Sequence, residues 1–143
     1  MSTKKAVIKT RNTGARATIG RTGRVRVTAR TDGEIEIVTA PSEAGFNPLD
    51  LIYSSLAACL VLSARIAASR MGILDHIESV EADVSGEKAG DEPSRIARFN
   101  VILDIRGELD DETRQKLAHE AEEICTVSNT LKGDPQFTVS LAG

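Results

Sequence analysis

Residues 47–72 read NPLDLIYSSLAACLVLSARIAASRMG, an almost unbroken apolar run with one cysteine, Cys59, near its centre. Asn47 supplies a side-chain acceptor for a helix start, Pro48 fits the first helical position, and Asp50 places an anion in the first turn. Gly72 suits the left-handed residue that ends many helices. The stretch therefore predicts a helix of about 24 residues, from Pro48 to Met71, against the roughly 20 that cross a bilayer. Asp50, Arg65 and Arg70 interrupt it, and Ala and Ser fill much of the remainder. Leu51, Leu56, Leu60, Leu62 and Ile66 spread around most of the cylinder, which outside lipid marks a helix buried in a core or an oligomer interface. Small residues, among them Ala57, Ala58, Ala64 and Ala67, allow close approach of a second helix. The run is read as a buried central helix and not as a membrane span.

On either side the apolar period changes. Upstream, AVIKTR (6–11), RVRVTAR (24–30) and EIEIVTA (34–40) alternate apolar with polar residues, as strands with one buried face do. RNTG, GRTG and RTDGE punctuate them, Asp32-Gly33 being the strongest hairpin signal. Downstream, HIESVEADVSGEKA (76–89) and SRIARFNVILDIRG (94–107) read as an antiparallel pair joined around GDEP. ELDDETRQKLAHEAEEIC (108–125) is an amphipathic helix capped by Asp110 or Asp111, with Leu117, Ala121 and Ile124 on one stripe. A second short helix closed by Gly133 and a final strand at QFTVSLA (136–142) complete the chain. This order gives an α+β class in one domain, 1–143: an N-terminal antiparallel β meander, a long buried central helix, further strands and a C-terminal helix pair.

Eighteen Lys and Arg against 21 Asp and Glu leave a net charge of -3, which argues against nucleic acid as the main partner. The basic N-terminal cluster, which includes Arg16, Arg21, Arg24 and Arg26, reads as a solvated hairpin face. The first residues show no apolar leader, so a cytoplasmic location is the expectation, and there two cysteines rarely form a permanent structural disulfide. Cys59, Cys125, His76 and His119 show neither CxxC nor HxxxH spacing, so no metal site is expected, and neither histidine is given a role. Tyr53 and Phe46 bracket the helix start and are read chiefly as packing residues.

Cysteine often serves as a small core hydrophobe. Cys59, however, lies in a helix too apolar to be exposed, and Cys125 sits where one helix ends and another begins. A thiol at a helix N-terminus has its thiolate favoured by unpaired backbone N–H groups. The run with A-A-C at 57–59 resembles the central helix of the OsmC/Ohr family, the osmotically inducible and organic-hydroperoxide-resistance proteins. EEICTVSNTLKG (122–133) is similar to that family's second cysteine motif, C-P-x-S-x-x-L.

The resemblance implies an intertwined homodimer with two interfacial active sites, acting as a thiol-dependent peroxidase on organic hydroperoxides in oxidative stress defence. Cys59 matches the peroxidatic cysteine and Cys125 the resolving one. No metal, flavin or heme is implied; an external dithiol, such as a lipoyl protein or a thioredoxin-type donor, would return the enzyme to its reduced state. The supporting arginine is sought in GRTGRVRV, with Arg21 first, Arg24 second and Arg16 third. Thr126 replaces the family's proline, and Leu49 stands where glutamate is usual, with Asp50 one residue later as its substitute. One position is about 100° of helical rotation. The alternative is a divergent dimer without efficient peroxidase activity, binding a hydrophobic ligand or acting in another thiol reaction.

Overall fold

The computed structural model describes residues 12–40 and 42–143, in two compact units, the first ending at Asp50 and the second running Leu51–Gly143. The first unit holds a three-stranded antiparallel sheet in the order β1 (Ala15–Thr18), β2 (Val25–Ala29) and β3 (Glu34–Ile37). Its register pairs Ala17 with Val27 and Val27 with Ile35, placing the apolar alternation of β2 and β3 on one face. The β2–β3 hairpin turns at Asp32, whose φ of 72° is tolerated by a short side chain able to bond locally. β1 is a strand that the apolar pattern does not announce, because ARAT carries no large hydrophobe and all four residues are exposed. The strand expected at AVIKTR lies outside the described residues.

α1 runs Pro48–Arg70, opening where expected and ending at Gly72 with φ 73°, a left-handed value that favours glycine. Its start is a reciprocal cap. The Asp50 N–H donates to Asn47 Oδ1 (2.8 Å), and the Asn47 N–H donates to Asp50 Oδ2 (3.0 Å). Within the second unit a single turn at Leu74–His76 leads into β4 (Ile77–Lys88), which pairs antiparallel with β5 (Ile96–Gly107). α2 (Asp111–Ile124) and α3 (Thr126–Lys132) follow. Asp110 caps α2 through the Thr113 N–H at 2.8 Å. His119 faces outward beside Glu123, as its place on the polar side of α2 predicts.

Two apolar clusters lie along α1. Ala67 and Ala68 meet Ile105 of β5 and Leu117 of α2, while Leu56 and Leu60 enclose Cys125. Leu117 is fully buried, and burial on that scale contributes roughly 1.5–3 kcal/mol per leucine. Leu62 and Ile66, on the other side of α1, remain 50% and 48% exposed in the single chain.

The expected final strand at QFTVSLA is not formed. Residues 134–143 make no regular element, and Phe137, Val139 and Leu141 are almost fully exposed. Alternation orients side chains to one face, but a strand is held by ladder hydrogen bonds, and no described strand of this chain supplies them.

Arg114 fastens α2 to the end of β5. Its Nε donates to the Ile105 carbonyl (3.1 Å) and its Nη2 to the Gly107 carbonyl (2.9 Å). Arg114→Ala is expected to lower the free energy of unfolding by about 1–3 kcal/mol, since bonds from a charged donor exceed neutral ones. Arg114→Lys recovers only part of it, because an ammonium cannot reproduce the fork. Urea denaturation of the three proteins checks both.

Candidate active site

Residues 56, 60 and 63 of α1 share the buried side of the helix with the half-buried Cys59 between them. Cys125 comes to that side from the α2–α3 junction and is fully buried against Leu56 and Leu60. Its backbone is extended (φ -73°, ψ 108°), so one residue ends α2 and caps α3. Its N–H donates to the Glu122 carbonyl (3.3 Å), and its sulfur accepts the Ser128 N–H (3.4 Å). The fold thus brings both cysteines together as free thiols, Cys59 packing against the cluster that holds Cys125.

The pair is electrostatically unequal. Burial is the largest influence on Cys59 and pushes its thiol up. Hydrogen bonds from the Cys125 side chain, the Val127 N–H, the Ser63 hydroxyl and the Thr126 N–H outweigh it and bring the thiol below its ordinary range. Cys125 moves the other way. Burial raises it first, the Cys59 hydrogen bond and charge add to that, and the Ser128 and Val127 N–H groups offset only part. Ionisation is therefore favoured at Cys59 over Cys125.

The remaining predicted residues have other surroundings. Arg21 lies in the exposed turn between β1 and β2. Arg24, just before β2, pairs with Glu43 and, at 3.6 Å, with Glu36. Asp50 is engaged in the α1 cap. Tyr53 packs edge-on to Phe99 with ring centroids 6.0 Å apart, and its hydroxyl sits where a Cβ on Gly86 would come within 2.6 Å. Phe46 bridges to Ile37 in the first unit. Three contributors escaped the sequence reading: Ser63, one turn beyond Cys59, the Thr126 N–H and the Val127 N–H. Helical spacing of i and i+4 would have found the first. The second is visible only as the donor that a proline at this position would lack.

A cleft of about 600 Å³ lies on the far side of Leu56, Leu60 and Ser128, residues that also touch the cysteine cluster. Leu56, Leu60, Phe99, Val101, Leu103 and Leu131 make its walls, and Glu122 and Lys132, an ion pair, lie at its polar side. Among the described residues no cluster of three or more His, Cys, Asp or Glu side chains is arranged to hold a metal ion.

The sequence signature of OsmC-like proteins matches residues 40–140. The chain belongs to the OsmC-like protein family. An OsmC-like protein from Mycoplasma pneumoniae has the same fold with a TM-score of 0.76 at 20% identity, over 86% of this chain and 89% of its own. The organic hydroperoxide resistance protein OhrB of Bacillus subtilis matches with a TM-score of 0.64 at 25% identity, over 86% and 92%. An uncharacterised protein of Haloferax volcanii is 24% identical over 106 residues, 74% of this chain and 78% of that protein. The α+β order of strand meander, central helix and C-terminal helices is thus the OsmC-like fold.

Thr126 is the first residue of α3, and Cys125 before it is already extended, so Thr126→Pro fits the backbone and deletes one N–H. The substitution is expected to shift the Cys59 titration to higher pH without loss of helix content. Thiolate ultraviolet absorbance across a pH series, with circular dichroism alongside, reads both.

Proposed function

We propose that this protein is a thiol-dependent peroxidase that reduces organic hydroperoxides to alcohols. The observation that carries the reading is the contacting pair Cys59 and Cys125, one favouring thiolate and the other thiol. Membership of the OsmC-like family and likeness to organic hydroperoxide resistance proteins support a redox or peroxide-resistance role in general. The apolar cleft, which shares Leu56 and Leu60 with the cysteine cluster, supports an organic peroxide over hydrogen peroxide.

In this mechanism the Cys59 thiolate attacks the distal peroxide oxygen, the O–O bond breaks, and the alkoxide takes a proton to leave as an alcohol. Cys59 becomes a sulfenic acid. The Cys125 thiol attacks that sulfur, a disulfide forms and water leaves. An external dithiol, of the lipoyl or thioredoxin type, then reduces the disulfide by exchange and is itself oxidised. No metal, flavin or heme takes part. Arg21, or else Arg24, would hold charge at the reacting oxygen in the assembled site.

The active form in this proposal is an intertwined cytoplasmic homodimer. It would cover the exposed Leu62 and Ile66 side of α1 and give a partner to the alternating segment at Phe137, Val139 and Leu141. One observation favours the second reading, a divergent dimer without efficient peroxidase activity: the Asp50 carboxylate is committed to its cap, and Leu49 stands beside it.

Consumption of cumene hydroperoxide in the presence of a dithiol separates the two readings. The parent is expected to turn over and Cys59→Ser to lose at least about a hundredfold, in line with loss of an activated nucleophile. Equal rates in both proteins would overturn the peroxidase. For the assembly, Ile66→Asp is expected to shift a dimer towards monomer in sedimentation velocity, because a buried unpaired charge opposes association.

A further inference from the structure

Two polar residues are buried in this chain among the described residues, Ser63 at 5% and Ser128 at 6% exposure, and each lies against one of the two sulfurs. Ser128 meets Cys125 through its backbone N–H. Ser63 meets Cys59 through its side chain, with Oγ 4.0 Å from Sγ and one helical turn beyond it. Nothing in the packing asks for a hydroxyl there. The neighbouring buried positions of α1 are Leu60, Ala64, Ala67 and Ala68, and alanine is the better helix former. A buried hydroxyl without a partner is costly, and the partner recorded for this one is the Cys59 sulfur.

We propose that Ser63 is a positioning residue of the OsmC-like site, its hydroxyl donating to the Cys59 sulfur and holding it as the thiolate. The proposal rests on Cys59 being the reactive thiol. A hydroxyl can donate or accept, but a thiolate has no proton to give, so ionisation of Cys59 fixes Ser63 as donor. A hydrogen bond to the charged form favours that form, the direction in which Ser63 acts on Cys59. Within Leu51–Gly143 the other titratable group facing Cys59 is Cys125, from the α2–α3 junction. β4 and β5 present Ala82, Val84, Phe99 and Leu103 to this cluster, none of them ionisable.

The test is alkylation of the fully reduced protein by iodoacetamide across a pH series, with Cys59 followed by mass spectrometry of its peptide. Ser63→Ala keeps the helix and the packing volume. The Cys59 profile is expected to move to higher pH, and its neutral-pH rate to fall about threefold, the size of one ordinary hydrogen bond. A profile that coincides with the parent's would overturn the proposal, since Ser63→Ala leaves the burial of the sulfur nearly unchanged and removes the donor. No peroxide enters the measurement. An inactive parent with a shifted profile would sink the peroxidase reading and leave Ser63 in its role, whereas an active parent with a coincident profile would do the reverse.

Discussion

Everything in the second unit is arranged by how closely other elements can approach one side of α1. Towards the C-terminal end that side is built from Ala64, Ala67 and Ala68, so Ile105 of β5 and Leu117 of α2 can reach the helix. Towards the N-terminal end it is built from Leu56 and Leu60, which are bulky enough to enclose a small side chain brought from elsewhere, and Cys125 is that side chain. The same dense packing that stabilises the unit removes water from Cys125. Packing and chemistry therefore have a common cause, and a volume change at Leu56 or Leu60 would alter both.

Local chemistry then fixes the direction in which each element leaves the core. Asn47 and Asp50 close the start of α1 on itself. Arg114 reaches back to two β5 carbonyls and sets where α2 begins its path. Cys125 ends one helix and caps the next, so the backbone turn and the sulfur position are one constraint. A sulfur whose own residue makes the turn cannot swing away without disturbing α3. That anchoring keeps Cys125 against α1 while Cys59 retains partial access to solvent.

Elements with large apolar residues at a clear period were legible in the sequence: β2, β3, the β4–β5 pair, α1 and α2, with their caps at Asn47, Asp110, Gly72 and Gly133. β1 was not, because ARAT has nothing for a periodicity to act on and is held by backbone pairing to β2. QFTVSLA had the opposite problem, since its period is clear but no described strand of this chain pairs with it. The cysteines were legible as a pair only through the family resemblance, because their contact depends on how α1 and the α2–α3 junction pack. Asp50 illustrates a residue with two readings of which the sequence could not choose one. Its carboxylate is found at the cap, where a first-turn acid is favoured in any helix.

Two thiols in contact cannot both ionise easily, because charge on one opposes charge on the other, so the fold must decide which one does. The hydrogen bond between them is symmetric in kind and leaves the choice open. The other donors break the symmetry. Cys59 receives the Thr126 and Val127 N–H groups from α3 and the Ser63 hydroxyl from α1, whereas Cys125 is more deeply buried and also feels the charge on Cys59. Donors that share one sulfur compete for the same electron density, so each single removal is partly made good by the donor that remains, and removing both should cost more than the sum of removing each. Such coupling is expected only if α3 and α1 address a single thiolate, and it makes their junction, more than either helix, the functional unit of this fold.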